Sequence, residues 1–503
     1  MSESTSNSGY DVIVVGGGNA GFSAAHAARE QGASVLVLEK TSVDTAGGNS
    51  FYTAGAFRFA FDSVDDLVPL LDDATLDRLP STVVPPYPES DFASDMVRVT
   101  DGKCDPVLTE ALVTRSADTL RWLRERGLQF RLMYERQSFE KNGVYTFFGG
   151  LVVGSVGGGK GLIAQHTKAA LDSGVEIRYD SRLTAIRQDD SGAVIGVTYV
   201  DKSGERHDLD APAVVLAAGG FEANPVMRKT YLGDGWERAI VRGNPSNTGE
   251  VLELALGLGA EPFGDWTSCH SVAWDAGGPP NGGDRKLTNQ MTRQSYPLGI
   301  VVNKDGKRFV DEGADFRNYT YAKYGREILK QPEGIAFQLF DAKTRPLLRT
   351  EEYDSYPISE TVSENLEDLE GGLKIAPGGL VATVRRFNES IVDEPFDPAV
   401  KDGRAALTEP PKSNWALALD SPPYYAYAVS CGITFTFGGV HVTTKSEVIS
   451  SHGVPIPGLF AAGEMVGGLF SGNYPGGSGL TAGAVFGRAA GISAAARARS
   501  AGE

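Results

Sequence analysis

The first apolar run, Val12-Ile-Val-Val15, is unbroken and β-branched, the pattern of a strand buried on both faces. Glycines interrupt it, and Phe22-SAAHAAREQ-Gly32 resumes at helical spacing with a glycine to stop it. A second buried run, Ala33-SVLVLE-Lys40, completes a βαβ unit. Residues 62–100 are acidic and proline-bearing and predict an excursion over the surface. Apolar positions at helical spacing return over Asp105–Gly127, with Asp105 as N-cap. A second helix-to-strand passage follows from Lys160, then a polar hairpin over Ile195–Asp210. Ala213-VVLAAGGFEA-Asn224 is another buried strand, ending in paired glycines. From about residue 263 to about 431 the alternation turns irregular and Trp, Pro and Tyr become frequent, and then the glycine-rich apolar texture returns. This predicts an α/β protein: a discontinuous Rossmann-like nucleotide-binding domain over 1–262 and 432–503, with an α+β cap inserted over 263–431.

Composition narrows the class. Glycine supplies 62 of 503 residues, about 12% against an average of about 7%, as an enzyme with many close backbone approaches requires. A formal charge of −17 argues against a nucleic-acid partner and against an anionic membrane surface. Cys104, Cys269 and Cys431 lie far apart and form no CxxC, so no zinc, iron–sulfur or haem site is expected of them. The polar N-terminus has no apolar core, so no signal peptide is expected, and no apolar run reaches about 18 residues. The expectation is a cytoplasmic protein with no membrane insertion and no metal.

Gly16-x-Gly18-x-x-Gly21 follows a strand and opens a helix, and Glu39 ends the next strand. That is the dinucleotide fingerprint: glycines for the turn, for backbone approach to a pyrophosphate and for helix packing, with Glu39 for a ribose. Asn19 and Ala20 fall within the turn, and Lys40 follows Glu39. Gly47, Gly48, Asn49 and Ser50, then Ala54 and Gly55, continue beyond what a nicotinamide nucleotide needs and favour FAD. Ala218 and Gly219 end the later strand, and Glu464 in Gly458-LFAAG-Glu464 is placed to bond a ribityl hydroxyl. Gly154-SVGG-Gly159-Lys160 has the spacing of a phosphate loop, but Gly161 stands where Ser or Thr must hold Mg²⁺, so a plain glycine turn is expected.

These motifs, with GKRFVDE (306–312) and GGxGLTxGxxFGRxAG (476–491), resemble in this order the fumarate reductase/succinate dehydrogenase flavoprotein superfamily. GNYPGGSGL and DEGADFRNYTYAKYG are most similar to its tricarballylate dehydrogenase branch. The resemblance implies noncovalent FAD, with the loop at Ser478, Gly479 and Leu480 facing the flavin. It also implies hydride transfer between a substrate carbon and the flavin, with a proton moved at the neighbouring carbon. The electrons would pass to a redox partner not visible in the sequence.

In that superfamily an arginine after the GKRFVDE motif handles the proton, which points to Arg317, one residue later than usual, with Tyr319 and Tyr321 near enough to share the role. Two carboxylate-binding groups of the family are missing: Thr434 and Phe435 stand in the histidine's place and Tyr474 in the arginine's. His270, Arg293 and Arg58 are candidates to replace them, with Thr434 also facing substrate. Tyr474 has a second reading, an oxyanion hole with a glycine-loop N–H. The expected activity is desaturation of a small polycarboxylate; the alternatives are a ketone α,β-desaturase of the 3-ketosteroid type and a flavin-binding sensor without turnover.

Overall fold

A computed structural model describes residues 9–354 and 359–502; the polar segment before Gly9, on which the signal-peptide expectation rests, lies outside the described residues. The nucleotide-binding half is a six-stranded sheet in the order Glu447–Ile449, Pro455–Ala461, Ala213–Leu216, Val12–Val15, Val35–Leu38, Glu176–Arg178. All its pairings are parallel except the one at the Glu447–Ile449 edge. The three central strands are buried along their whole length, as their unbroken apolar runs require. Val12–Val15 pairs with Val35–Leu38 on one side and Ala213–Leu216 on the other. The order of strands therefore reverses at its C-terminal end, where open α/β sheets form their ligand crevice.

Two helices begin at that crevice, Asn19–Glu30 and Ser478–Gly502. They meet along Gly483, Gly487 and Gly491, spaced four residues apart. A Cβ at Gly487 would stand 2.4 Å from the Ala20 carbonyl oxygen, and one at Gly491 2.1 Å from that of Ala24. Only glycine permits this approach, so the last helix of the chain is pressed onto the first. The turn into helix Gly158–Asp172 is equally tight: a Cβ at Gly161 would meet the Val156 oxygen at 1.9 Å. Helix Pro106–Glu125 starts on Asp105, whose carboxylate accepts from Leu108 N at 2.8 Å.

The cap is organised by two long antiparallel strands, Pro262–Asp275 and Tyr424–Val440, paired from Pro262↔Val440 to Asp275↔Val429. Ala336–Asp341, Ile300–Asn303 and Glu360–Ser363 extend this sheet, and Ile300, Val302, Leu380, Val384 and Phe387 form a core of its own. The long ribbon carries the chain through both 262/263 and 431/432, so the two halves share strands at those points. Residues 62–100, expected to be an excursion over the surface, carry local structure of their own. They contain helix Glu89–Val99, which buries Phe92, Met96 and Val99 on one face; the prolines before it obscure that helical spacing. Among the described residues no helix is long and apolar enough to cross a membrane.

Candidate active site

One cleft runs from the fingerprint turn to the cap. Gly16, Gly18, Asn19, Ala20, Glu39, Lys40, Gly48, Asn49, Ser50, Ala54, Ala218, Gly219, Glu464, Gly479 and Leu480 all line it. Gly21, Gly47, Gly55 and Ser478 stand behind its wall, and shape it. A Cβ on Gly21 would lie 1.9 Å from the Gly16 oxygen, and one on Gly55 would lie 2.8 Å from the Gly158 backbone. Gly47 precedes the short helix Gly48–Tyr52, and Ser478 Oγ donates to the Pro475 carbonyl. Gly16 has φ +107°, a conformation that favours glycine, and turns the chain at the end of the first strand.

The residues at this end fit a dinucleotide. Helix Asn19–Glu30 has no side-chain cap and no acidic residue in its first turn, leaving its positive end free for a phosphate. A Cβ on Gly18 would find nothing nearer than Ser50 Oγ at 3.6 Å, so the backbone is bare on the cleft side. Glu39 is held by Gly17 N at 2.9 Å and by Thr41 N and Oγ1 at 2.9 and 2.7 Å, which fixes a carboxylate at the cleft for a ribose. Lys40 turns aside to Glu250 at 2.6 Å.

Further along, Glu464 accepts from Thr436 N at 2.7 Å. It faces a second buried carboxyl, Glu222, to which Asn49 and Asn247 donate from their amides at 2.5 and 2.7 Å. Burial pushes Glu222 up to about 6, and burial together with the Glu222 charge holds Glu464 well above the usual carboxylate range. Asn49 also donates to the Thr434 carbonyl at 2.6 Å and accepts from Asn244 N at 2.8 Å, joining the flavin loop to the substrate end.

The substrate end is cationic. Arg136, Arg242 and Arg317 line it with Gln137, His270, Asn289, Gln294, Tyr321, Thr434 and Tyr474. Arg242 donates to Thr434 Oγ1 at 3.0 Å and to Asn289, and Arg317 reaches Gln137 Oε1 at 3.4 Å. Neither makes an ion pair with a carboxylate among the described residues. Burial lowers the proton affinity of Arg242; burial, then the charges of Arg349 and Arg136, bring that of Arg317 well below the usual value. Arg349 and Arg136 are themselves paired to Glu352, at 2.8 and 3.2 Å. His270 is kept neutral by burial and by Arg242, and its ring meets those of Tyr321 and Tyr474 edge-on at 5.0 and 4.8 Å. The hydroxyls of Tyr321 and Tyr474 are 2.7 Å apart, and Gly477 N approaches Tyr474 Oη at 3.4 Å.

Three expected site residues turn out to be structural. Arg293 is sealed in an ion pair with Asp275 at 2.7 Å, both fully buried, and its neighbour Gln294 lines the cleft instead. Arg58 is fully buried behind the glycine loop, where it donates to Gly476 O at 2.8 Å and Gly149 O at 3.0 Å. Tyr319 spends its hydroxyl on Asp95 at 2.5 Å and accepts from Arg58 at 3.1 Å, away from the cleft. Sequence reading missed Arg242, Arg136, Gln137, Gln294 and Asn289. Arg242 is placed by a short parallel pairing, Ile240↔Gly432 and Val241↔Ile433, with Arg242 N donating to Ile433 O at 2.8 Å. Gly432 lets Trp274 of the facing strand close over this pairing, since a Cβ there would stand 2.7 Å from Trp274 Cβ.

Residues 11–480 match the FAD binding domain family. The chain belongs to that family. Its relatives include Probable fumarate reductase Ifc3 of Shewanella frigidimarina (strain NCIMB 400), 29% identical over 96% of this chain and 74% of that protein. Urocanate reductase of Eggerthella lenta is also 29% identical, over 97% of this chain and 74% of that protein. Among solved structures, the open conformation of a flavocytochrome c3 fumarate reductase is similar over 98% of this chain and 79% of its own, with TM-score 0.72 and 26% identity. This member of the FAD binding domain family is a flavoprotein of the fumarate reductase superfamily, an FAD-dependent dehydrogenase/reductase acting on CH–CH bonds. None of these three singles out the tricarballylate dehydrogenase branch.

Proposed function

We propose that this enzyme desaturates a small acid with more than one carboxylate, of tricarballylate-like chemistry. The observation that carries the reading is the pair of buried guanidiniums, Arg242 and Arg317, which line the cleft without a carboxylate partner among the described residues. For Arg242 a buried cation without a counter-ion costs several kcal/mol, and an anionic substrate offsets that cost on binding. Arg317, driven further toward its neutral form, lowers the same cost by giving up its proton. FAD supplies the hydride acceptor. Arg242, braced by Thr434 and Asn289, clamps one carboxylate. Arg317 takes the proton from the adjacent carbon. Burial and the neighbouring Arg349 and Arg136 favour its neutral form, the condition a guanidine needs to act as a base. The electrons then leave to an external redox partner. Anaerobic addition of tricarballylate, succinate and a 3-ketosteroid to the holoenzyme tests this by flavin absorbance. Bleaching by tricarballylate is expected, and bleaching by the ketone alone overturns the reading.

A second reading, desaturation beside a ketone, is favoured by one feature, the hydrogen-bonded hydroxyls of Tyr321 and Tyr474 beside Gly477 N. In that reading Tyr474 donates to the enolate oxygen. Tyr474→Phe then abolishes reduction by a ketone, whereas full retained activity on a ketone sinks it.

A further inference from the structure

His26 and His166 take no part in the chemistry above, yet both are buried and their ring nitrogens are in line. His26 Nε2 lies 3.1 Å from His166 Nδ1, and His166 Nε2 lies 3.1 Å from Asn19 Oδ1. Asn19 Nδ2 donates in turn to the Leu480 carbonyl at 2.8 Å. A backbone carbonyl can only accept, so Leu480 decides every proton along this chain. Asn19 must turn its NH₂ to Leu480 and its Oδ1 to His166. His166 must then carry its proton on Nε2 and leave Nδ1 bare, and His26 must donate from its own Nε2. Both imidazoles are neutral in this arrangement; burial lowers His26 to about 4 and His166 well below its usual value. Phe22 stacks on His166 with ring centroids 5.6 Å apart, whereas the two imidazoles lie edge to edge and nearly coplanar, with centroids 5.3 Å apart.

We propose that His26 and His166 are positioning residues for the cofactor, locking the Asn19 amide so that it ties the C-terminal glycine loop to the fingerprint turn. Asn19 and Leu480 both line the cleft, although 461 residues separate them, and one amide side chain joins the two walls. An Asn19 amide rotated by a half-turn would set Oδ1 against the Leu480 oxygen, acceptor against acceptor. With His166 Nδ1 accepting from His26, the His166 proton stays on Nε2 and meets only Oδ1, which disfavours that alternative. The first and last helices of the FAD half thereby grip the cofactor as one unit.

Paired amide substitutions test this. His166→Gln places an N–H near the Nε2 position, whereas His166→Asn places one near Nδ1, with little difference in polarity. FAD release from the diluted holoenzyme is followed by recovery of flavin fluorescence. It is expected to stay within about twofold of the parent rate for His166→Gln and to be about tenfold faster for His166→Asn, the scale of one hydrogen bond. In an Asn19→Ala background the two substitutions should release FAD at the same rate. Equal rates with Asn19 intact, or a difference that persists without its amide, overturn the proposal. His26→Phe removes the donor that meets His166 Nδ1 and so holds its tautomer; an unchanged release rate there overturns it as well.

Discussion

The cofactor end of the cleft is made largely of backbone and the substrate end of side chains, and the buried arginines divide between a structural frame and an open site. Around the fingerprint turn the surface is a bare helix terminus and glycines that admit no Cβ, as at Gly21 against the Gly16 oxygen, 1.9 Å away. At the substrate end, Arg136, Arg242, Arg317, Tyr321 and Tyr474 arrive from separate stretches of chain. Arg58 and Arg293 are as deeply buried as the arginines of the cleft, but carbonyls, a hydroxyl or a carboxylate meet their donors. Arg242 and Arg317 are left without a counter-charge among the described residues.

The largest effect expected from breaking this contrast is at Arg317. Arg317→Ala should lower kcat by about 10³-fold while FAD content stays unchanged, as steady-state rates and flavin absorbance will show. Next is Arg293→Met, which strands the buried Asp275 carboxylate; denaturant unfolding should show a loss of about 3–5 kcal/mol. The folded fraction should still be reduced by substrate. Arg242→Met should reverse that pattern. KM for the acid should rise about 30-fold or more as a charge-assisted contact is lost, while unfolding without substrate should show no loss of stability, because an uncompensated buried charge has gone. The smallest effect is at the carboxyl pair. The folded value of Glu222, about 6, lies above its ordinary 4.5, so its contribution to stability is present below 4.5 and lost as pH rises through 6. The unfolding temperature of the parent protein should fall across that window, and Glu222→Gln should flatten the fall.

Much of the cofactor end was legible because its motifs are local. The glycine fingerprint, Glu39 and the C-terminal glycine helix describe turns and close approaches, and the structure brings them to one cleft. The substrate end was legible only in part. Arg317, His270, Thr434 and Tyr474 were named and stand at the cleft, but Arg293, Arg58 and Tyr319 were named with equal reason and are tied into the frame. A cap arginine looks the same in a sequence whether its partner is Asp275 or a substrate. Arg242 sits in IVRGNPSNTG, a stretch with no catalytic pattern.

By itself the sequence determined the βαβ unit and the cofactor class. Each depends on where a backbone can turn or approach, and glycine spacing over a few residues settles that. Tertiary structure alone decided which buried cations face the cleft. That choice rests on strand register, as when Ile240 pairs with Gly432 and delivers Arg242 to Thr434, and on which carboxylate reaches a guanidinium first. Register and pairing across hundreds of residues are set by the packing of the whole ribbon, so no short stretch of the chain carries them.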